Sequence, residues 1–187
     1  MMTESNLLKI GMAQISPIWL DKELTREKIR EYIEKTGSEG CDLVVFGEAL
    51  LPGYPCWLGL THGTDFNSRM QKEIHAHYVR NSVQIEAGEL DMLCEAAKKN
   101  KVAAYVGIIE RAKNRGGHSI YCSLVYIDKL GEINSVHRKL THLRGEAHLV
   151  VHPLKEFTVG ELNCWENWLP LARTSLYGQG EDNPLSG

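Results

Sequence analysis

Asp42-Leu43-Val44-Val45-Phe46-Gly47-Glu48 is the stretch on which the fold turns. Leu43 to Phe46 is a short, unbroken apolar run, the mark of a strand buried on both faces. Upstream, Leu20 to Lys35 places Leu24, Ile29 and Ile33 at mostly helical spacing, and Gly37 and Gly40 break the pattern. Before that, Leu7 to Ile15 is apolar enough, with partial alternation, to predict another strand. Strand, helix, buried strand is a β-α-β opening, which favours an α/β domain.

Downstream, Gln71 to Val79 predicts a helix on which His75 and His77 cannot share a face, so both read as surface or loop-packing residues. Glu86 to Lys99 predicts a clearer helix, with Leu90, Leu93, Ala96 and Ala97 inward. Val102 to Ile109 is the next buried strand. Asn114 to Gly117 reads as a turn, and Ile120 to Ile127 returns as the second strand of a hairpin. Asp128 to Glu132 turns the chain again into Ile133 to His137. Phe157-Thr158-Val159 is a last short strand, and Pro170 stands in the first turn of a closing helix.

The 187 residues are enough for one domain with a real core, and 1–187 reads as a single domain. Apolar content of 43% and charged content of 24% are ordinary for a water-soluble chain. A net charge of -3 gives no reason to expect nucleic acid or an acidic membrane surface. No apolar run is long enough to span a bilayer, and Met1 to Leu8 lacks a signal-peptide pattern. Cys41, Cys56, Cys94, Cys122 and Cys164 are scattered and odd in number, which suits a reducing cytoplasm. No metal-type spacing links them to the histidines.

Three residues each follow a strand. Glu48 ends a buried strand before the Pro/Gly loop Pro52-Gly53-Tyr54-Pro55; it is either a catalytic carboxylate or a residue that caps a loop or pairs with a lysine. Lys139 ends another strand, where a solvated edge lysine is the ordinary alternative. Cys164 lies on a tight strand-to-helix turn in Gly160-Glu161-Leu162-Asn163-Cys164-Trp165-Glu166-Asn167. There the N–H groups of Trp165 and Glu166 are expected unpaired, and a thiol leans towards thiolate. The alternative is a cysteine buried in a packed turn. Together the three are a base, a cation and a thiol, a complete kit for acyl-type chemistry.

The chain resembles the nitrilase superfamily of carbon–nitrogen hydrolases, in its nitrilase branch. The likeness lies in Phe46-Gly47-Glu48 with Pro52 to Pro55 and Trp57, in His137-Arg138-Lys139-Leu140, and in Cys164-Trp165-Glu166-Asn167 with Pro170-Leu171-Ala172-Arg173 and Gln179-Gly180. It implies an α-β-β-α sandwich. It implies a Glu48, Lys139, Cys164 triad, with the Trp165 N–H and Glu146 in support and Tyr54 and Trp57 at the substrate pocket. It implies hydrolysis of a nitrile to a carboxylic acid and ammonia with no cofactor or metal, in a homo-oligomer. An amidase of the same superfamily, or a non-catalytic remnant, is the alternative.

Two departures from the pattern stand out. Glu146 stands seven residues after Lys139 (146 − 139), the family's spacing, but its neighbours in Thr141 to Val150 do not match the family's segment. A two-nucleotide loss in the coding DNA accounts for this as a hypothesis, and sequencing that DNA tests it. The family also continues beyond the helix that follows the cysteine. The expectation is an incomplete sandwich, poorly active and prone to aggregate when made alone; a cooperative melt with robust turnover would refute it.

Overall fold

The computed structural model describes residues 7–113, 119–139 and 149–186, the last four by backbone only. The expected turn at 114–117 and Glu146 therefore lie outside the described residues. In chain order the elements are β1 (Ile10–Ala13), α1 (Lys22–Ser38), β2 (Leu43–Phe46), α2 (Trp57–Leu60), α3 (Arg69–Asn81), a 3-10 turn (Ile85–Ala87) and α4 (Asp91–Asn100). Then come β3 (Ala103–Arg111), β4 (Ile120–Ile127), β5 (Ile133–Arg138), β6 (His152–Leu154), β7 (Phe157–Leu162), a 3-10 turn (Cys164–Trp168), α5 (Pro170–Gly178) and β8 (Asn183–Ser186).

Two sheets form. The first has the order β1-β2-β3-β4-β5, parallel across β1, β2 and β3 and antiparallel from β3 to β5. The second has the order β6-β7-β8, with β6 antiparallel and β8 parallel to β7. All four residues of β2 are buried, as a central strand covered on both faces requires. Val44 and Phe46 turn to one face, where Ile29 and Ile33 of α1 and Leu93, Ala96 and Ala97 of α4 cover them. Leu43 and Val45 turn to the other face, where they meet Ala103, Tyr105, Leu124 and Tyr126 of their own sheet and Leu154 and Val159 of the second. The outer face of the second sheet packs Leu162 against Ala172 and Leu176 of α5. The layers are thus helix, sheet, sheet, helix: the α-β-β-α sandwich.

Several boundaries differ from the sequence reading, three of them as follows. Helix α1 runs through Gly37, because a side chain there would meet the Asn100 Cβ at 2.6 Å; the glycine is a packing notch against the end of α4, not a stop. Helix α4 begins at Asp91 rather than Glu86, since Gly88 takes a left-handed φ of 74° and breaks the run. Strand β7 continues to Leu162, beyond Val159.

The two sheets are also pinned by a histidine. His152 of β6 is buried and stacks on the Tyr126 ring of β4 at 4.0 Å between centroids, and its Nε2 meets the Ser135 Oγ of β5 at 2.8 Å. Burial depresses the His152 pKa below the ordinary value, and Asp128 only partly opposes this. The neutral ring's contribution is therefore complete above the unfolded value of about 6.5 and is lost as pH falls through the depressed folded value. The melting temperature of the parent is expected to fall more between pH 7 and pH 5 than that of His152→Gln, by on the order of a few degrees. Parallel pH profiles would show that His152 carries no such linkage.

Candidate active site

Glu48 follows β2 on a segment laid directly on the sheet. Leu51 donates its N–H to the Gly107 carbonyl at 3.1 Å and accepts from the Ile109 N–H at 2.8 Å, so the chain rejoins β3 just past Glu48. Gly107 makes this approach possible. A Cβ there would lie 2.3 Å from the Gly47 carbonyl oxygen and 2.8 Å from the Glu48 Cα. The segment then turns at Ala49, in the left-handed region with φ 53°.

Lys139 stands one residue past β5. Its N–H donates to the Cys122 carbonyl at 2.8 Å, extending the β4–β5 ladder by one rung. The preceding Arg138 holds the buried Glu110 through two hydrogen bonds, at 2.6 and 2.8 Å, and lies over the Tyr121 ring. A forked pair of this kind fixes the strand end geometrically. The Lys139 ammonium reaches Glu48 Oε1 in an ion pair. Burial works against the charge on Lys139, but Glu48 outweighs it, with the thiols of Cys122 and Cys164 also close by, and the lysine is held above its ordinary value.

Cys164 is exposed and adopts a left-handed backbone, φ 47°, at the elbow between β7 and the 3-10 turn. Such strain in a non-glycine residue persists only where the surroundings hold it. Glu166 accepts the Asn163 N–H at 2.8 Å and meets His137 Nε2 at 3.0 and 3.1 Å, both side chains buried. Asn167 donates its amide to the carbonyls of Leu162 and Cys164 at 3.1 and 3.0 Å. Arg173 of α5 in turn clamps Asn167 at 2.8 and 3.0 Å. His137 stands on β5, two residues before Lys139, so Glu166 ties the Cys164 elbow to the lysine's strand.

The structure thus pairs Glu48 with Lys139, and Cys164, past a third strand, lies near enough to the lysine to act on its charge. One detail of the sequence reading is corrected. The Glu166 N–H is not unpaired: it donates to the Asn163 carbonyl at 3.0 Å. The Trp165 N–H makes no hydrogen bond among the described residues. Trp57 is buried and packs with Ala49, Tyr78 and Ile109, its ring edge-on to Tyr78, whereas Tyr54 is exposed. Sequence reasoning missed His137, Cys122 and Gly107. The Asn-x-x-Glu spacing of Asn163 and Glu166 is that of a capping box and signals a local cap at the elbow, not the partner on β5.

A carboxylate paired with an ammonium, near a thiol on a strained elbow, stands at the strand ends of a four-layer sandwich. The chain belongs to the carbon–nitrogen hydrolase family, whose profile matches residues 9–183. It is 34% identical to "Nitrilase 2" of an unknown prokaryotic organism, across 96% of this chain and 58% of that protein. It is 30% identical to an arylacetonitrilase of Hypocrea virens, across 94% of this chain and 53% of that protein. The chain therefore spans little more than half the length of these relatives. In fold it is similar to an amidase from Nesterenkonia sp., with a TM-score of 0.69 and 15% identity, covering 98% of this chain and 65% of the other. A mutant of that amidase is described as showing Michael addition of acrylamide at its active site cysteine.

Proposed function

We propose that the chain carries the catalytic centre of a nitrile-hydrolysing enzyme. The observation that carries this reading is the convergence of Lys139 on the Glu48 carboxylate beside the strained Cys164 elbow. The nitrilase relatives support a nitrile as substrate.

Glu48 takes the thiol proton as Cys164 sulfur attacks the nitrile carbon. A C–S bond forms, one C–N π bond breaks, and the proton passes to nitrogen to give a thioimidate. Lys139 and the Trp165 N–H stabilise the charge that develops on that nitrogen. Water, deprotonated by Glu48, adds to the carbon and ammonia leaves, which yields a thioester. A second water releases the carboxylic acid and restores the thiol. Two waters are consumed per nitrile.

The exposed Trp165, Trp168, Leu169 and Leu171 on the elbow and α5 support association with a second copy, which sedimentation velocity reads directly. Five free cysteines support a reducing, cytoplasmic setting, which fractionation of the source cells would check. No helix among the described residues is long and apolar enough to cross a membrane.

The test is incubation with an aliphatic nitrile, an arylacetonitrile and the matching amides, with acid and ammonia measured. Acid and ammonia from nitriles are expected. Turnover of amides alone would replace this reading with the amidase.

A further inference from the structure

A second thiol stands inside the site. Cys122 of β4 places Sγ 3.2 Å from Glu48 Oε1, the same oxygen that Lys139 reaches. Its backbone carbonyl accepts the Lys139 N–H at 2.8 Å. One residue therefore touches both the proposed base and the proposed cation, through different atoms. Its other neighbours are apolar: it packs against the buried cluster of Ala49, Trp57, Tyr78 and Ile109. The ionisable groups facing it are Glu48 past β2, Lys139 past β5, Glu166 in the 3-10 turn and Tyr78 on α3.

Chemistry decides what a thiol does there. A thiolate against a carboxylate in apolar surroundings is unfavourable on two counts, burial and like charge, so the proton stays on sulfur. Cys122 is thus a donor rather than a second nucleophile. Among the described residues, both donors to Glu48 converge on Oε1 and none occupies Oε2.

We propose that Cys122 is a positioning residue for the base: its S–H donates to Glu48 Oε1 beside Lys139 and helps to hold the carboxylate in the orientation in which it serves Cys164. No bond to sulfur is made or broken at Cys122 during turnover. This rests on the Glu48, Lys139, Cys164 reading.

The experiment compares Cys122→Ala and Cys122→Ser with the parent in the full chain. Two pH profiles are taken: kcat/KM for nitrile hydrolysis, and the rate of Cys164 alkylation by iodoacetamide, resolved by peptide mass. The second profile needs no turnover. Removing a donor from a charged carboxylate raises that carboxylate's pKa. The acid limb of both profiles is expected to move to higher pH in Cys122→Ala, by about one unit. Cys122→Ser keeps a donor and is expected to restore the parental limb. In Cys122→Ala, kcat should fall about tenfold with KM nearly unchanged, as for a group that acts through the base. An unmoved acid limb in the alanine variant, or a serine variant that behaves like alanine, reduces Cys122 to a space-filler and overturns the proposal. Failure of the underlying triad looks different: Cys164 in the parent alkylates no faster than the exposed Cys56, and Cys164→Ala keeps its turnover. That outcome removes both readings.

Discussion

Replacing Cys164 with alanine is expected to lower nitrile turnover by roughly 10⁴-fold or more, because the proposed reaction loses the atom that becomes bonded to carbon. Glu48→Gln is expected to cost about 10²–10⁴-fold, since the amide cannot take the thiol proton and yet fills the same space. Lys139→Ala is expected to cost about 10²–10³-fold through loss of the charge that meets the developing anion. It also strips Glu48 of the cation it is paired with. The measurement is ammonia release, with circular dichroism confirming that each variant is folded. Peptide mass spectrometry should find a substrate adduct on Cys164 in the parent and none in Cys164→Ala. A variant that turns over close to the parental rate takes its residue out of the mechanism.

Glu161→Leu is expected to stabilise the protein. Glu161 lies on β7, two residues after Val159, so strand alternation turns it to the same inter-sheet face. It is buried, and among the described residues neither carboxyl oxygen has a hydrogen-bond partner. Burial drives its pKa well above the ordinary value, so the group sits protonated in the fold. The sign follows. With a folded-state value above the unfolded one, the fold binds the extra proton, and stability falls as pH rises past about 4.5, where the unfolded chain ionises. Leucine removes both the unpaired polar group and this linkage. An unsatisfied buried polar group costs about 1–3 kcal/mol, and each kcal/mol moves the melting temperature by about 2–4 °C in a protein of this size. The variant should therefore melt on the order of 5 °C higher at pH 7, with the gain shrinking towards pH 4.5. A lower melting temperature, or a gain that does not depend on pH, would overturn this account.

The α/β pattern and the place of Glu48, Lys139 and Cys164 just past strands were legible in the sequence because each rests on a local signal, whereas the sandwich came only with the family resemblance. Buried strands announce themselves as apolar runs, as in Leu43 to Phe46 ahead of Glu48, while Lys139 and Cys164 follow the more mixed strands Ile133–Arg138 and Phe157–Leu162. Ile29 and Ile33 show their inward face by spacing alone. What stayed hidden depends on distant residues. Gly37 reads as a stop until Asn100 is seen beside it. His137 reads as one more strand residue until Glu166 arrives from 29 positions away. Cys122 is a half-buried cysteine in a hairpin until a loop 74 residues upstream lays Glu48 against it. No periodicity encodes such meetings, because they arise only when the sheet assembles.

Gly107 has a bearing on any attempt to move this chemistry to another scaffold. The room beneath Glu48 is about one hydrogen atom deep, because a methyl group at position 107 would collide with the backbone of Gly47 and Glu48. The minimal transplant is therefore four residues rather than three, and the fourth contributes by having no side chain. A graft of carboxylate, ammonium and thiol onto a host strand that bears alanine there would lift the carboxylate off its seat while leaving every reactive group present. Such a design would pass an inventory of its functional groups and still lack the alignment that makes them a site.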